Sequence, residues 1–240
     1  MTTSEPRGAA VLSMTMSLDG FVNDREGSVA RLYPDLEGLA ESEAFRSFLA
    51  RIGAVVMGRH AYDMGNGDFT GYELQMPIFV VTSRPPATPA KGENEHLTFT
   101  FVTEGVASAI DRAKAAAGGK DVVVIGGADV ARQCLRHRLV DEVQIAIAPV
   151  LLGSGLRLFE ELDDEPIALT LIEVIESPIG TEIRYRLTGK DIADRQGSRS
   201  IPTDARPSIH SRRARHASGR SMAPVSRAGG RPARRRAGAR

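Results

Sequence analysis

The chain has 240 residues, 42% of them apolar, and a formal net charge of +1. Its one cysteine, Cys134, excludes an internal disulfide. No stretch approaches the roughly 20 apolar residues of a membrane span, and the N-terminus lacks the basic, apolar, small-residue order of a secretion signal. A soluble, cytoplasmic protein without a membrane partner is the expectation.

Residues 9–22, AAVLSMTMSLDGFV, predict a strand that runs into a turn at Asp19–Gly20. In 42–53, Phe45, Phe48, Leu49 and Ile52 fall on one helical face, with Gly53 as the expected stop. AVVMG (54–58) and PIFVVTS (77–83) predict short buried strands, and LTFTFV (97–102) alternates with period two. Residues 105–119 place Val106, Ile110 and Ala113 on one side of a helix that ends in two glycines. A strand over 121–125 and a helix over about 128–138 follow, and then EVQIAIAPVLL (142–152) as a further strand. IALTLIEVIES and GTEIRYRLTG predict a closing antiparallel hairpin. Strands that alternate with helices predict parallel pairing with right-handed crossovers, here within one α/β domain over 9–189. Residues 1–8 are expected to be flexible.

The last segment is a different material. Residues 191–240 hold 13 Arg and three Asp, net +10, which leaves −9 on the first 190 residues. With no aromatics and few large aliphatics, 190–240 is expected to be disordered. It reads either as a solvated tail or as an arm for nucleic acid.

Strong local motifs are missing. There is no G-x-G-x-x-G, no G-x-x-x-x-G-K-[ST] and no G-x-S-x-G. The five histidines have no helix-spaced partners, so no metal site is expected. The acidic run 159–166 reads as a solvated turn, and Cys134 as a buried thiol in an amphipathic helix. Three buried strands, however, end in polar or glycine turns: VVMGRHAY (55–62), IFVVTSRPP (78–86) and VVVIGGADVA (122–131). Ligands of open α/β sheets sit at such carboxyl ends. Glycines there let backbone N–H groups approach a pyrophosphate, and Arg59 and Arg84 match a 2′-phosphate. The bland reading is that Gly126–Gly127 only packs a helix and that Arg59 is a surface charge.

Taken together, these ends resemble the dihydrofolate reductase-like superfamily, specifically the C-terminal reductase domain of the bifunctional riboflavin-biosynthesis deaminase-reductase. The resemblance rests on SLDG (17–20), VVMGRHAY, FVVTSR (79–84), VVVIGG (122–127) and LVDEVQIAIAPVLLGSGLRLFEEL (139–162), all in family order. It implies a three-layer α/β fold whose central sheet is mostly parallel and closes with a C-terminal antiparallel hairpin. It implies NADPH as hydride donor, a small-molecule substrate and a homodimer. Gly58 and Arg59 would approach the cofactor phosphates. Thr82, Ser83 and Arg84 would lie at the 2′-phosphate, and Gly126, Gly127 and Ala128 at the pyrophosphate. Asp19 would face the substrate as a catalytic or orienting acid, or else simply form the turn before Gly20. The implied activity is NADPH-dependent reduction of a small heteroaromatic or ribosylamino-pyrimidine-like substrate. The alternatives are a non-catalytic nucleotide-binding protein or a dihydrofolate reductase proper. Two departures stand out. Ala61 occupies a place where many relatives have Thr, and the acid that holds a pterin falls near Ser42, between Glu41 and Glu43. The deaminase half is absent, since no H-x-E with P-C-x-x-C occurs.

Overall fold

The computed structural model describes residues 8–162 and 165–188. The expectations for residues 1–7 and for the Arg-rich tail lie outside the described residues. Six parallel strands make the centre of the sheet. They are β1 (Ala10–Ser17), β3 (Ile52–Gly58), β4 (Ile78–Val81), β5 (Phe99–Val102), β6 (Asp121–Val124) and β7 (Glu142–Ala148). β9 (Leu169–Ser177) and β10 (Gly180–Leu187) form the hairpin, and the spatial order is β5-β4-β3-β6-β1-β7-β10-β9. Every pair from β5 to β7 is parallel, whereas β10 runs antiparallel to both β7 and β9. A small ribbon of β2 (Phe21–Asn23) and β8 (Leu156–Arg157) stands apart from this sheet.

The central strands are nearly continuous apolar runs because both faces are covered. On one face, α4 (Val106–Ala116) and α5 (Ala128–Arg136) bury Ala109, Ile110, Ala131 and Cys134 against Leu12, Val56 and Val124. Burial pushes the Cys134 thiol up to about 12, so it stays protonated and inert. On the other face, Val11, Val55, Met57 and Val123 meet Tyr62, Phe69 and Leu97. The three layers and the closing hairpin are those expected. Among the described residues, no helix is long and apolar enough to cross a membrane.

Two local expectations are corrected. Gly53 does not stop a helix. α2 (Glu43–Arg51) ends before Ile52, which is already extended, and Gly53 lies inside β3. A Cβ on Gly53 would stand 2.2 Å from the Ala117 carbonyl oxygen, so close approach of the α4 terminus is what requires glycine there. The helix after β6 ends at Arg136, two residues early, with His137 as its cap. The short helices α1 (Leu36–Glu41) and α3 (Arg59–Met64) had no expectation behind them, because six residues are too few to show a helical period.

Candidate functional site

Parallel strands bring the C-terminal ends of β1, β3, β4, β6 and β7 to one edge of the sheet. Two cavities open there, of about 590 and 390 Å³, and His60 and Gly127 line both. The larger volume is within the usual range for small-molecule sites, roughly 300–1,000 Å³.

The smaller cavity gathers most of the expected cofactor residues. Gly58, Arg59, Thr82, Ser83 and Gly127 line it. The Gly58 N–H donates to the Gly126 carbonyl at 2.7 Å, which ties the end of β3 to the end of β6. A Cβ on Gly58 would come within 3.0 Å of Val130 Cγ2 and 3.3 Å of the Gly127 nitrogen, so this glycine is held by packing. Gly126 has a φ of +150°, which only glycine tolerates well, and its peptide bond to Gly127 is cis. Gly127 differs from both. It caps α5 with an ordinary φ of −72°, and a Cβ there would meet nothing within 4 Å. The φ of Gly127 and the space beyond its chain neighbours leave room for a side chain.

Arg59 opens α3. Its Nε bonds Asp63 at 2.7 Å, and its Nη1 bonds the Arg84 carbonyl at 2.5 Å. Thr82 Oγ1 contacts both the N–H and the carbonyl of Arg84 at 3.1 Å. The 82–84 turn is thus pinned to α3, while the Arg84 side chain lies exposed and outside the cavity lining. Thr103, Gly105, Asp129 and Gln133 complete the wall and were missed from sequence. Thr103 and Gly105 follow β5, a strand end as polar as the three that were singled out, so the same rule applied to all parallel strands would have found them.

The larger cavity takes Gly126 and Ala128 into its lining, together with Ile125. Its sheet side carries Ser13 and Thr15 from β1, Gln144 and Ala146 from β7, and Glu182 from β10. The opposite side carries the apolar and aromatic Tyr33, Phe45, Phe48 and Met64 together with His60, Asp68 and Glu73. Ser42 caps α2 by accepting from the Phe45 N–H, and neither it nor Glu41 nor Glu43 lines the cavity. The acid that does line the sheet side, Glu182, comes from the hairpin. Gln144 carried a legible signal, a polar residue in the middle of a buried strand. Glu182, on a strand with an alternating polar face, carried none. Among the described residues, no three His, Cys, Asp or Glu side chains gather closely enough to hold a metal ion.

Asp19 has a structural job in the turn after β1. It lines neither cavity. Its carboxylate accepts from Ser17 Oγ at 2.6 Å, the Leu152 N–H at 3.1 Å and the Gly153 N–H at 2.7 Å, which fastens the β1 turn to the 149–155 loop. The Ser17 hydroxyl first, then the two backbone donors, hold the carboxyl at about 2, so it carries no proton to give near neutral pH. A folded-state value below the ordinary one near 3.8 means that the stabilisation is present above that value and is lost as pH falls toward 2. Asp19→Asn is therefore expected to lower stability at neutral pH and to flatten the stability loss between about pH 4 and 2. Urea midpoints measured across that range check it, and a variant as acid-sensitive as the parent speaks against it.

Residues 10–181 match the family model described as the RibD C-terminal domain. Two Bacillus subtilis (strain 168) proteins are similar in sequence. The uncharacterized protein YwjB is 28% identical over 159 residues, 65% of this chain and 84% of its own. The uncharacterized protein YyaP is 27% identical over 169 residues, 66% and 84% respectively. Among solved structures, the putative riboflavin biosynthesis protein from Shewanella sp. PV-4 superposes with a TM-score of 0.61 at 24% identity, covering 75% of this chain and 99% of that one. Acinetobacter baumannii RibD gives a TM-score of 0.55 at 21% identity, covering 77% of this chain and 59% of that one. These superpositions establish a shared fold.

Proposed function

The chain belongs to the RibD C-terminal domain family, and from that premise we propose that it is an NADPH-dependent reductase of a small heteroaromatic or ribosylamino-pyrimidine-like molecule, of the riboflavin-biosynthesis type. The observation that carries the reading is Gly127, a glycine with open space where a Cβ would stand, placed where two cavities meet at the start of α5. A dinucleotide phosphate pressed against that backbone accounts for the missing side chain. The residues fit the cofactor on this count. Gly58, Gly126, Gly127 and Ala128 would hold its pyrophosphate. Arg59, with guanidinium N–H groups left over after Asp63 and Arg84, would meet the 2′-phosphate with Thr82, Ser83 and Arg84.

NADPH, when bound, supplies the hydride. The chain's own contribution is to orient the acceptor between the sheet and α2 and to screen it with Tyr33, Phe45 and Phe48. With the Asp19 carboxylate ionised and engaged in its turn, solvent admitted to the cavity is the proton source in this reading. The expected homodimer has one supporting feature. The edge strand β9 shows Leu169, Leu171, Ile172 and Val174 to solvent, a row that a second copy would cover.

The test is cofactor discrimination. The double variant Arg59→Ala, Arg84→Ala is expected to weaken NADPH at least ten-fold and NADH by less than about three-fold, because each lost charge-assisted hydrogen bond is worth about 1.5–3 kcal/mol. Titrations of both dinucleotides measure it, and light scattering on the same preparation reads the mass. Equal losses for the two cofactors would reject the 2′-phosphate assignment. A parent chain that binds neither would reject the reductase reading, and a monomeric mass would remove the dimer.

A further inference from the structure

The charge of the larger cavity narrows what it accepts. Its lining includes three carboxylates, Asp68, Glu73 and Glu182, and His60 as the one basic side chain type. No Arg or Lys lines it among the described residues. The Thr70 hydroxyl and N–H hold the Asp68 carboxyl below the usual range, so that charge persists. A phosphate in a site of this size needs guanidinium, ammonium or a row of backbone N–H groups. Arg59 and the backbone at Gly127 line the smaller cavity, where they would hold the dinucleotide.

The polar groups on the sheet side are built for donors. Ser13 pairs with Gln144, and Ala146 with both Thr15 and Glu182, across three adjacent strands, so these side chains share one face. Gln144 Nε2 donates to Glu182 Oε2 at 2.9 Å. A carboxylate only accepts, so this bond sets the orientation of the amide. Gln144 is only 6% exposed, and its Oε1 is buried with no hydrogen-bond partner. Glu182 has no Lys, Arg or His within ion-pair distance among the described residues, although Arg184 two positions along is surrounded by carboxylates. One buried acceptor, Gln144 Oε1, therefore stands unmatched beside a Glu182 carboxylate that has no cationic partner among the described residues. Unmatched buried acceptors are costly and are normally satisfied.

The geometry points to Glu182, oriented by Gln144, as the specificity residue for a flat, amino-bearing heterocycle that carries no phosphate. This rests on the reductase reading for its chemistry and departs from a phosphorylated substrate. N–H groups on the heterocycle donate to the Glu182 carboxylate and, after a small shift of its neighbours, to Gln144 Oε1. The ring lies against Phe45, Phe48 and Tyr33, and an anionic substituent is repelled by the three carboxylates.

The test is a pair of calorimetric titrations of the full chain, with and without NADPH, using 2,4-diaminopyrimidine and ribose 5-phosphate as probes. Diaminopyrimidine is expected to bind and ribose 5-phosphate not to. Glu182→Gln and Glu182→Ala are both expected to weaken diaminopyrimidine about ten-fold or more while NADPH affinity stays unchanged. Unchanged NADPH affinity also certifies that the variants fold. Absence of diaminopyrimidine binding overturns the inference, as does ribose 5-phosphate binding equally well or better. Indifference of diaminopyrimidine affinity to both variants overturns it too. If the parent binds no dinucleotide, the reductase reading falls, but the titrations without NADPH still decide the assignment of Glu182.

Discussion

Gly127→Ala is expected to fold like the parent and to bind NADPH about 10- to 100-fold more weakly. The fold side follows from an ordinary φ and from empty space around the added Cβ. The binding side follows from placing a methyl group where the cofactor's phosphates would touch the α5 terminus, an overpacking cost of about 1–3 kcal/mol. Gly58→Ala is the contrasting variant. Its Cβ already meets Val130 and the Gly127 nitrogen inside the protein, so stability and binding should fall together. Thermal melts with and without NADPH separate the two cases. If Gly127→Ala binds NADPH as tightly as the parent, the glycine has no ligand to accommodate and the cradle is misassigned.

The largest stability effect is expected from Arg184→Ala. Arg184 and Glu142 are paired by two contacts, 2.5 and 2.6 Å, with side-chain exposures of only 10% and 8%. Asp121 and Glu173 stand at 3.8 and 3.7 Å from the same guanidinium. Deleting Arg184 leaves a nearly buried Glu142 with Arg186 alone, at 3.2 Å. Breaking a buried pair from one side costs about 3–5 kcal/mol. Arg186→Ala removes a side chain that is 60% exposed and should cost under about 1 kcal/mol. Replacing Arg184 and Glu142 together by Met and Leu should recover most of the loss, because no lone charge then remains buried. Urea denaturation of the four proteins measures the series. A single Arg184→Ala loss no larger than that of Arg186→Ala would show that the pair is solvated in solution.

Much of the architecture was legible in the chain. Short unbroken apolar runs such as 54–57 and 122–124 are what a strand covered on both faces requires, and the last two strand-like runs marked the closing hairpin. Glycine was harder to interpret. Gly53, Gly58, Gly126 and Gly127 look alike in sequence. The structure gives the first two packing reasons, the third a conformational one and the fourth none of its own. Such a distinction depends on the atoms that a Cβ would meet, and most of these come from distant parts of the chain.

Asp19 shows the same limit from the other side. An Asp–Gly turn after the first strand identified a residue with a task, but the donors at 152 and 153 that occupy its carboxylate lie more than 130 positions away. Glu182 and Gln144 are 38 positions apart and become neighbours only because β10 turns back along β7. What the sequence determined by itself is the longer strands and helices of the main sheet, their layering and the strand ends that bear glycine and arginine, since these follow from local periodicity and from residues adjacent in the chain. Only the tertiary structure decided which carboxylate faces the cavity and which is tied into a turn. A side chain's chemistry is set by the donors and charges around it, and strand order, not sequence distance, brings those together.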